Sequence, residues 1–322
     1  MKCIERYLTV AWLIFAGGCV SDRVVELKAI DGSNDHRIFR IASLTKLMME
    51  PVLWKLEDTH KIDFDCSVRR YFHDDLPEEY EQVTLRMLHD NRSGLPREFI
   101  DPWCLGDVYS AFKCGCVGSN LYEGFDTREE FVGKLRTVWV REMVRRGEPE
   151  YSNMGYALMM MAICDYLKTD PQHLIEEYLI KPYGLKDTSF VVTDGMKSRL
   201  TPCCAGHLPW WRFKGMEVPD HREGVVTLYT GGMLSSASDL LKIGFVLLPH
   251  LDRASGLLKE HRYSAAHTIL YRTGMIYGGH AFIGFDRKNG RVGVILRNET
   301  CWPNDDGLEL MEDVVFNFRI FE

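Results

Sequence analysis

The sequence has no Cys-x-x-Cys pair, although it carries 10 cysteines. Cys114–Cys116 and the adjacent Cys203–Cys204 lack the ligand spacing of a structural zinc site, so the thiols read as free, buried or partly exposed side chains. Such a content is easiest to keep reduced in a cytoplasm. A strong basic stripe is also missing. Lys and Arg number 39 against 46 Asp and Glu, a net charge of −7, which argues against a nucleic-acid partner. No internal repeat and no Pro/Gly/Ser-rich linker appears, which excludes a string of loosely joined domains. At 322 residues, 46% hydrophobic and 26% charged, the chain suits one large domain or two intimate ones with a sizeable core.

A membrane-spanning run is lacking too. Lys2 and Arg6 precede an uncharged stretch, Tyr7 to Gly18, that leads through small residues to Cys19 and is too short to span a bilayer. It has the look of an export signal, of the lipoprotein kind where it meets Cys19. The competing reading makes "YLTVAWLIFAGG" and "RVVELKAI" a first helix and strand of the fold itself.

Along the chain, Leu44, Leu47, Met48, Val52 and Leu56 recur at helical spacing, with Pro51 expected to kink or loosen a turn. "VTLRMLHDNRSGLP" reads as a short helix stopped by Ser93-Gly94 and Pro96. Residues 99–126 read as a long loop, and Thr127 as the cap of a helix reaching about Arg146, with Glu129 and Glu130 in its first turn. "NMGYALMMMAICDYLK" is apolar almost all round, the mark of a buried helix. A further helix is expected from Pro171 to Ile180, stopped near Pro182 and Gly184, and a capped one in "SSASDLLKIGFVLL". "HAFIGFDRKNGRVGVILRN" reads as two alternating strands around Lys288-Asn289-Gly290, and "GLELMEDVVFNFRIF" as a closing amphipathic helix. Strands concentrate toward the ends and helices in the middle. The expected class is α+β, an antiparallel sheet flanked by helices and built from both termini, with a mainly helical insertion.

Three short motifs carry possible chemistry. In Ser43-Leu44-Thr45-Lys46 the serine and lysine share one helical face, so the amine can reach the hydroxyl. A serine needs a neighbour to take its proton, and a lysine can do so only with a lowered pKa. The bland alternative is a helix cap followed by a surface lysine. Tyr151-Ser152-Asn153 opens the buried helix. It reads either as a packed tyrosine beside a capping residue or as a phenol held near cations to relay a proton. Arg272-Thr273-Gly274 enters a strand, and Gly274 would let a ligand approach the backbone closely. The alternative there is a plain strand end.

Taken in this order, the three resemble the Ser-x-x-Lys, Tyr-x-Asn and Lys-Thr-Gly set of the serine β-lactamase and penicillin-binding protein superfamily, in its class C β-lactamase-like branch, which also holds D-Ala-D-Ala peptidases and esterases. "FRIASLTK", "VTLRMLHDNRSGLP", "YSNMGYALMMMAICDYL", "IEEYLIKPYGLKDTSF" and "GGMLSSASDLLKIG" resemble further segments of that branch, and the likeness covers about residues 38–322. Gly279-His280 could pass for the His-x-Gly box of some relatives. Ala281-Phe282 do not supply its glycine, so Arg272 is preferred and His280 is read as a strand residue.

The resemblance implies a discontinuous sheet domain, residues 1–70 and 225–322, a mainly helical subdomain, 71–224, and an active site between them. It implies Ser43 as acylated nucleophile, with Lys46 and Tyr151 sharing its proton. Asn153 would orient Lys46 and the substrate amide, Arg272, Thr273 and Gly274 would bind substrate, and the backbone N–H groups of Ser43 and Met275 would form the oxyanion hole. No metal and no organic cofactor is implied. The partner is a small-molecule or peptide substrate. The implied activity is a serine hydrolase working through an acyl-enzyme on an ester, amide or D-amino-acid peptide, with β-lactams behind these. The alternative is a non-catalytic or acylation-only binder of penicillins or peptides. Two departures bear on substrate. Arg272 keeps the positive charge of the usual lysine but is planar and does not give up a proton, and Gly307 stands where class C enzymes tend to keep an arginine. Only 42 residues precede Ser43, too few to lose a signal ending at Cys19 and still supply the family's first helix and two strands. The reading therefore favours a cytoplasmic protein over one exported or lipid-anchored through Cys19.

Overall fold

The computed structural model describes residues 26–30, 35–72, 76–98, 127–137, 149–204, 207–208, 211–212, 217, 224–254, 256–264, 267–276 and 278–299. The amino-terminal stretch before residue 26, the loop read over 99–126, the end of the helix expected to reach Arg146, part of the 201–224 segment, Gly307 and the expected closing helix lie outside them.

Strand β1 (Glu26–Ile30) is followed by the two-residue β2 (Phe39–Arg40), then by helices α1 (Leu44–Met48) and α2 (Glu50–Asp58). Helix α3 (Leu85–His89), α4 (Arg128–Thr137), α5 (Asn153–Leu167), α6 (Pro171–Ile175), α7 (Lys181–Tyr183) and α8 (Asp194–Lys197) make up the middle of the chain. The short pair β3 (His207–Leu208) and β4 (Trp211–Arg212) precedes α9 (Val225–Gly231), β5 (Leu234–Ser235) and α10 (Ala237–Leu247). Strands β6 (Lys259–Ser264), β7 (His267–Ile276), β8 (Gly279–Asp286) and β9 (Arg291–Arg297) follow.

The main sheet is antiparallel, in the order β1-β9-β8-β7-β6. Its edge strand β1 pairs with β9 from Glu26 opposite Arg297 to Ile30 opposite Gly293, so the two ends of the sequence meet in one sheet, as expected. The hairpin around Lys288–Gly290 closes between Asp286 and Arg291, and the Asp286 carboxylate accepts from the Asn289 backbone N–H at 3.2 Å and side-chain Nδ2 at 2.7 Å.

The alternation expected for its strands needs correcting, because β8 is buried at all of its positions and β9 is buried between its ends. The cause is cover on both faces. On the face of Ala281 and Ile283 the cover is α1, β2 and α10 together: Gly274 meets Ile41, Gly279 meets Arg40, and Ile283 lies against Gly244 of α10. At Gly244 of α10 a Cβ would lie 2.6 Å from Val292 Cγ1, so this helix rides closer to the sheet than any side chain at that position permits.

Pro51 does loosen the first helical run. The chain leaves α1, turns at Met49 and restarts as α2 with Pro51 in its first turn, where the missing N–H costs nothing. The Pro171 run passes Ile180 before it reaches the stop expected near Pro182 and Gly184. One π turn, Glu176–Ile180, carries it past Pro182, which has no N–H for the α ladder, and it stops at Gly184 with φ 61°. Thr127 and Glu130 form a reciprocal cap on α4. Thr127 Oγ1 accepts from the Glu130 backbone and Glu130 Oε2 from the Thr127 backbone, at 3.3 and 3.1 Å. Ser236 caps α10, its hydroxyl accepting from the Asp239 N–H at 3.3 Å. Helix α5 is buried from Asn153 through Cys164 and forms the centre of the helical layer. It carries Tyr156 and Met159 to Met161 into the main core.

Candidate active site

Strand β2 aims the chain at the sheet, and Ala42 then turns it into α1 with φ 47°, a left-handed conformation that costs an L-residue about 1–2 kcal/mol. Ala42 is fully enclosed, so surrounding packing holds it there. Ser43 stands at the N-cap position of α1, yet its side chain makes no capping bond. Its Oγ lies 2.9 Å from Tyr151 Oη and accepts from Lys46 Nζ at 3.4 Å. The helix start read from the sequence therefore exists, but its serine hydroxyl points elsewhere.

Lys46 is not a surface lysine: its exposure is 0%. Nζ donates to Asn153 Oδ1 at 2.9 Å and to the Thr230 carbonyl, at the end of α9, at 2.7 Å. Burial pushes its pKa below the ordinary lysine value and Arg272 pushes the same way, while Tyr151 and Glu98 push back.

Tyr151 is set in place by the turn before α5. The Asn91 carbonyl accepts from the Glu150 N–H at 2.7 Å, and Asn91 Oδ1 from the Ser152 N–H at 3.0 Å. Ser152 caps α5, accepting from Gly155 N–H at 2.8 Å while its own hydroxyl donates to the Pro96 carbonyl at 2.7 Å. The phenol is ringed by cations. Lys46 Nζ lies 5.1 Å from the ring centre, and the guanidinium carbons of Arg272 and Arg97 lie 4.8 and 5.2 Å from it. Burial opposes the phenolate, but the charges of Lys46 and Arg272, with hydrogen bonds from Lys46 and Ser43, outweigh it and bring the Tyr151 pKa to about 8.

The third motif lies in β7. Arg272 is 7% exposed, and its Nη1 donates to the Leu257 carbonyl at 2.8 Å. Thr273 and Met275 line the same cleft of about 480 Å³ as Ser43, Tyr151, Arg97 and Arg272. Gly274 faces the start of α1. A Cβ there would lie 2.5 Å from the Ile41 carbonyl oxygen and 2.8 Å from the Ser43 nitrogen. Only glycine lets strand and helix approach this closely. Gly274→Ala must push β7 away from the Ser43 N–H, and the rate of covalent labelling at Ser43 is expected to fall about 100-fold while circular dichroism stays that of the folded protein. Labelling at the parent rate would show that this approach is not needed. His280 is a strand residue, opposite Met275 across β7 and β8, and it borders the cleft.

The fold thus brings Ser43, Lys46, Tyr151, Asn153, Arg272, Thr273, Gly274 and Met275 to one place. It also brings residues that sequence reasoning passed over. Arg97 and Glu98 directly follow the Ser-Gly-Leu-Pro segment, and Glu98 Oε1 accepts from Asn153 Nδ2 at 2.6 Å. One of the two N–H bonds of the Asn153 amide, the group expected to meet a substrate, is therefore already engaged. Thr230 contributes only a backbone carbonyl, 184 residues from Lys46, for which side-chain patterns hold no signal. Among the described residues no group of His, Cys, Asp and Glu could hold a metal ion, and no helix is long and apolar enough to cross a membrane.

The family model described as Beta-lactamase matches residues 10–313. "Beta-lactamase-like protein 2" of Dictyostelium discoideum is 26% identical over 160 residues, covering 48% of this chain and 26% of that protein. "D-alanyl-D-alanine-carboxypeptidase/endopeptidase AmpH" of Escherichia coli K12 is 24% identical over 213 residues, covering 64% and 47%. The chain thus spans less than half the length of the curated relatives it matches. Among solved structures, a class C beta lactamase from Rhodobacter sphaeroides superposes with a TM-score of 0.69 at 15% identity, covering 98% of each chain, a likeness of fold.

Proposed function

The chain belongs to the Beta-lactamase family, whose members are serine hydrolases, and on that premise we propose that it hydrolyses an ester, amide or D-amino-acid peptide through an acyl-enzyme on Ser43. One observation carries the reading. The Ser43 hydroxyl is held at once by Tyr151 Oη at 2.9 Å and by the wholly buried Lys46 amine at 3.4 Å. A buried lysine with a lowered pKa and a tyrosine brought to about 8 are both suited to take a proton near neutrality.

In the proposed reaction, Ser43 Oγ attacks the substrate carbonyl as its proton passes to the Lys46–Tyr151 pair. The Ser43 and Met275 N–H groups receive the oxyanion. Collapse breaks the carbonyl–leaving-group bond, and Tyr151 returns the proton to the departing alcohol or amine. A water molecule, deprotonated by the same pair, then cleaves the ester to Ser43. Arg272 and Thr273 take a substrate carboxylate. The division into a sheet domain, residues 1–70 and 225–322, and a helical subdomain, 71–224, with the cleft between them, belongs to the same proposal.

The experiment is incubation with a fluorophosphonate and with a penicillin, followed by intact mass and mapping of the adduct, then turnover of a chromogenic ester against nitrocefin. Labelling on Ser43 with ester turnover exceeding nitrocefin turnover is expected. A permanent penicillin adduct without turnover of either substrate would favour acylation-only binding. A folded protein labelled by neither reagent would overturn the catalytic reading.

A further inference from the structure

Beyond the three motifs, a buried relay reaches the nucleophile from the other side. Glu98 lies after α3, 55 residues from Asn153, and its carboxylate accepts a hydrogen bond from Asn153 Nδ2 at 2.6 Å. Asn153 Oδ1 in turn accepts a hydrogen bond from Lys46 Nζ at 2.9 Å, and Lys46 reaches Ser43. An asparagine amide fits its site in two flips, and only one turns Oδ1 toward a lysine. A carboxylate accepts and never donates when ionised, so Glu98 admits only the flip that presents N–H to itself and oxygen to Lys46. Its side chain is 12% exposed, so the contact is shielded from water.

The charges around the nucleophile give Glu98 a second effect. Lys46 and Tyr151 face Arg272 from β7 and Arg97 from the segment after Pro96. Tyr156 of α5 lies 5.4 Å from Lys46 Nζ and donates to the Lys46 carbonyl, with Glu50 of α2 acting on it in turn. His280 and Lys259 border the cleft. Arg97 Nε stands 3.7 Å from Glu98, but Arg97 is 67% exposed and its charge is screened. Glu98 is the carboxylate bonded to this cationic group through Asn153.

We propose that Glu98 is a positioning residue. It locks the Asn153 amide so that Oδ1 holds Lys46, and its charge sets how readily the Lys46–Tyr151 pair gives up its protons. The proposal deepens the serine-hydrolase reading and rests on it for its kinetic half. A nearby negative charge favours protonated lysine and protonated phenol, so its removal favours neutral amine and phenolate. Glu98→Gln keeps an oxygen for Asn153 Nδ2 and loses the charge, whereas Glu98→Ala loses both.

The experiment titrates the phenolate absorbance of Tyr151, taken as each protein minus its Tyr151→Phe counterpart, and measures the rate of fluorophosphonate adduct formation over the same pH range. The parent midpoint is expected near 8. In both variants it moves to lower pH, by about half a pH unit or more. At high pH, Glu98→Gln labels within about threefold of the parent, while Glu98→Ala, its amide free to flip, labels about tenfold slower. A residue that merely props up the loop would move stability and leave the midpoint in place, so an unmoved Glu98→Gln midpoint overturns the proposal. Equal labelling of the parent and Glu98→Ala at all pH values overturns its orienting half. If no protein is labelled but the midpoint moves, the charge effect stands and the serine-hydrolase reading falls.

Discussion

Lys46→Met is expected to slow covalent labelling of Ser43 and ester turnover about 10³- to 10⁴-fold, with the fold intact. Methionine has nearly the length of the lysine stem and suits an enclosed site, so shape is retained. What disappears is the amine that binds the Ser43 hydroxyl, Asn153 Oδ1 and the Thr230 carbonyl together. Two opposing terms then act on stability. The acceptors on Asn153 and Thr230 lose a buried partner, which costs about 1–3 kcal/mol each where no water replaces it, while the expense of holding an amine away from water is relieved. The net change, read from urea unfolding, is expected to be small beside the kinetic loss. Lys46→Arg is expected to fail as well. A guanidinium keeps its proton near neutrality, and the site holding Lys46 is closed to solvent. Labelling of either variant at the parent rate would remove Lys46 from the reaction and leave Tyr151 as sole base.

The motifs were legible because each rests on local spacing. Ser43 and Lys46 share a helical face, Tyr151 precedes a capped buried helix, and Gly274 marks a close approach. The two ends of the sheet were legible for a similar reason, since strand-rich composition concentrates at both termini and β1 pairs with β9. What local patterns could not convey was contact between distant segments. The Lys46 environment depends on a carbonyl at Thr230, and the engagement of Asn153 depends on Glu98, neither of which has a periodic signature. Burial of β8 on both faces has no such signal, because alternation marks one-sided cover and every position of β8 is enclosed. Arg272 falls between these cases. Its charge was legible, but its bond to the Leu257 carbonyl was not. That bond ties part of the guanidinium to the wall of the cleft and leaves the rest to act on Tyr151.

Tyr151→Phe is expected to cost about 10³-fold in the rate of Ser43 labelling and to abolish the rise in rate expected of the parent as pH climbs through about 8. The rise belongs to the Lys46–Tyr151 pair rather than to either group alone, so removing the phenol must change its shape as well as its height. Arg272 supplies the test of cause. Its guanidinium lies 4.8 Å from the ring centre, and its charge stabilises the phenolate. Arg272→Met therefore destabilises the phenolate, and the rise moves to higher pH. Arg272→Lys restores a cation and returns the midpoint toward the parent value, because charge rather than the planar fork acts on the ring. The shift is opposite in sign to that expected for Glu98→Gln, since one substitution deletes a cation and the other an anion beside the same pair. Paired shifts of opposite sign, read from one pH–rate series, would tie the rate to the charge state of Lys46 and Tyr151. Shifts of the same sign in both variants would mean that packing, not charge, sets the pH dependence, and would remove the electrostatic account of how Ser43 is activated.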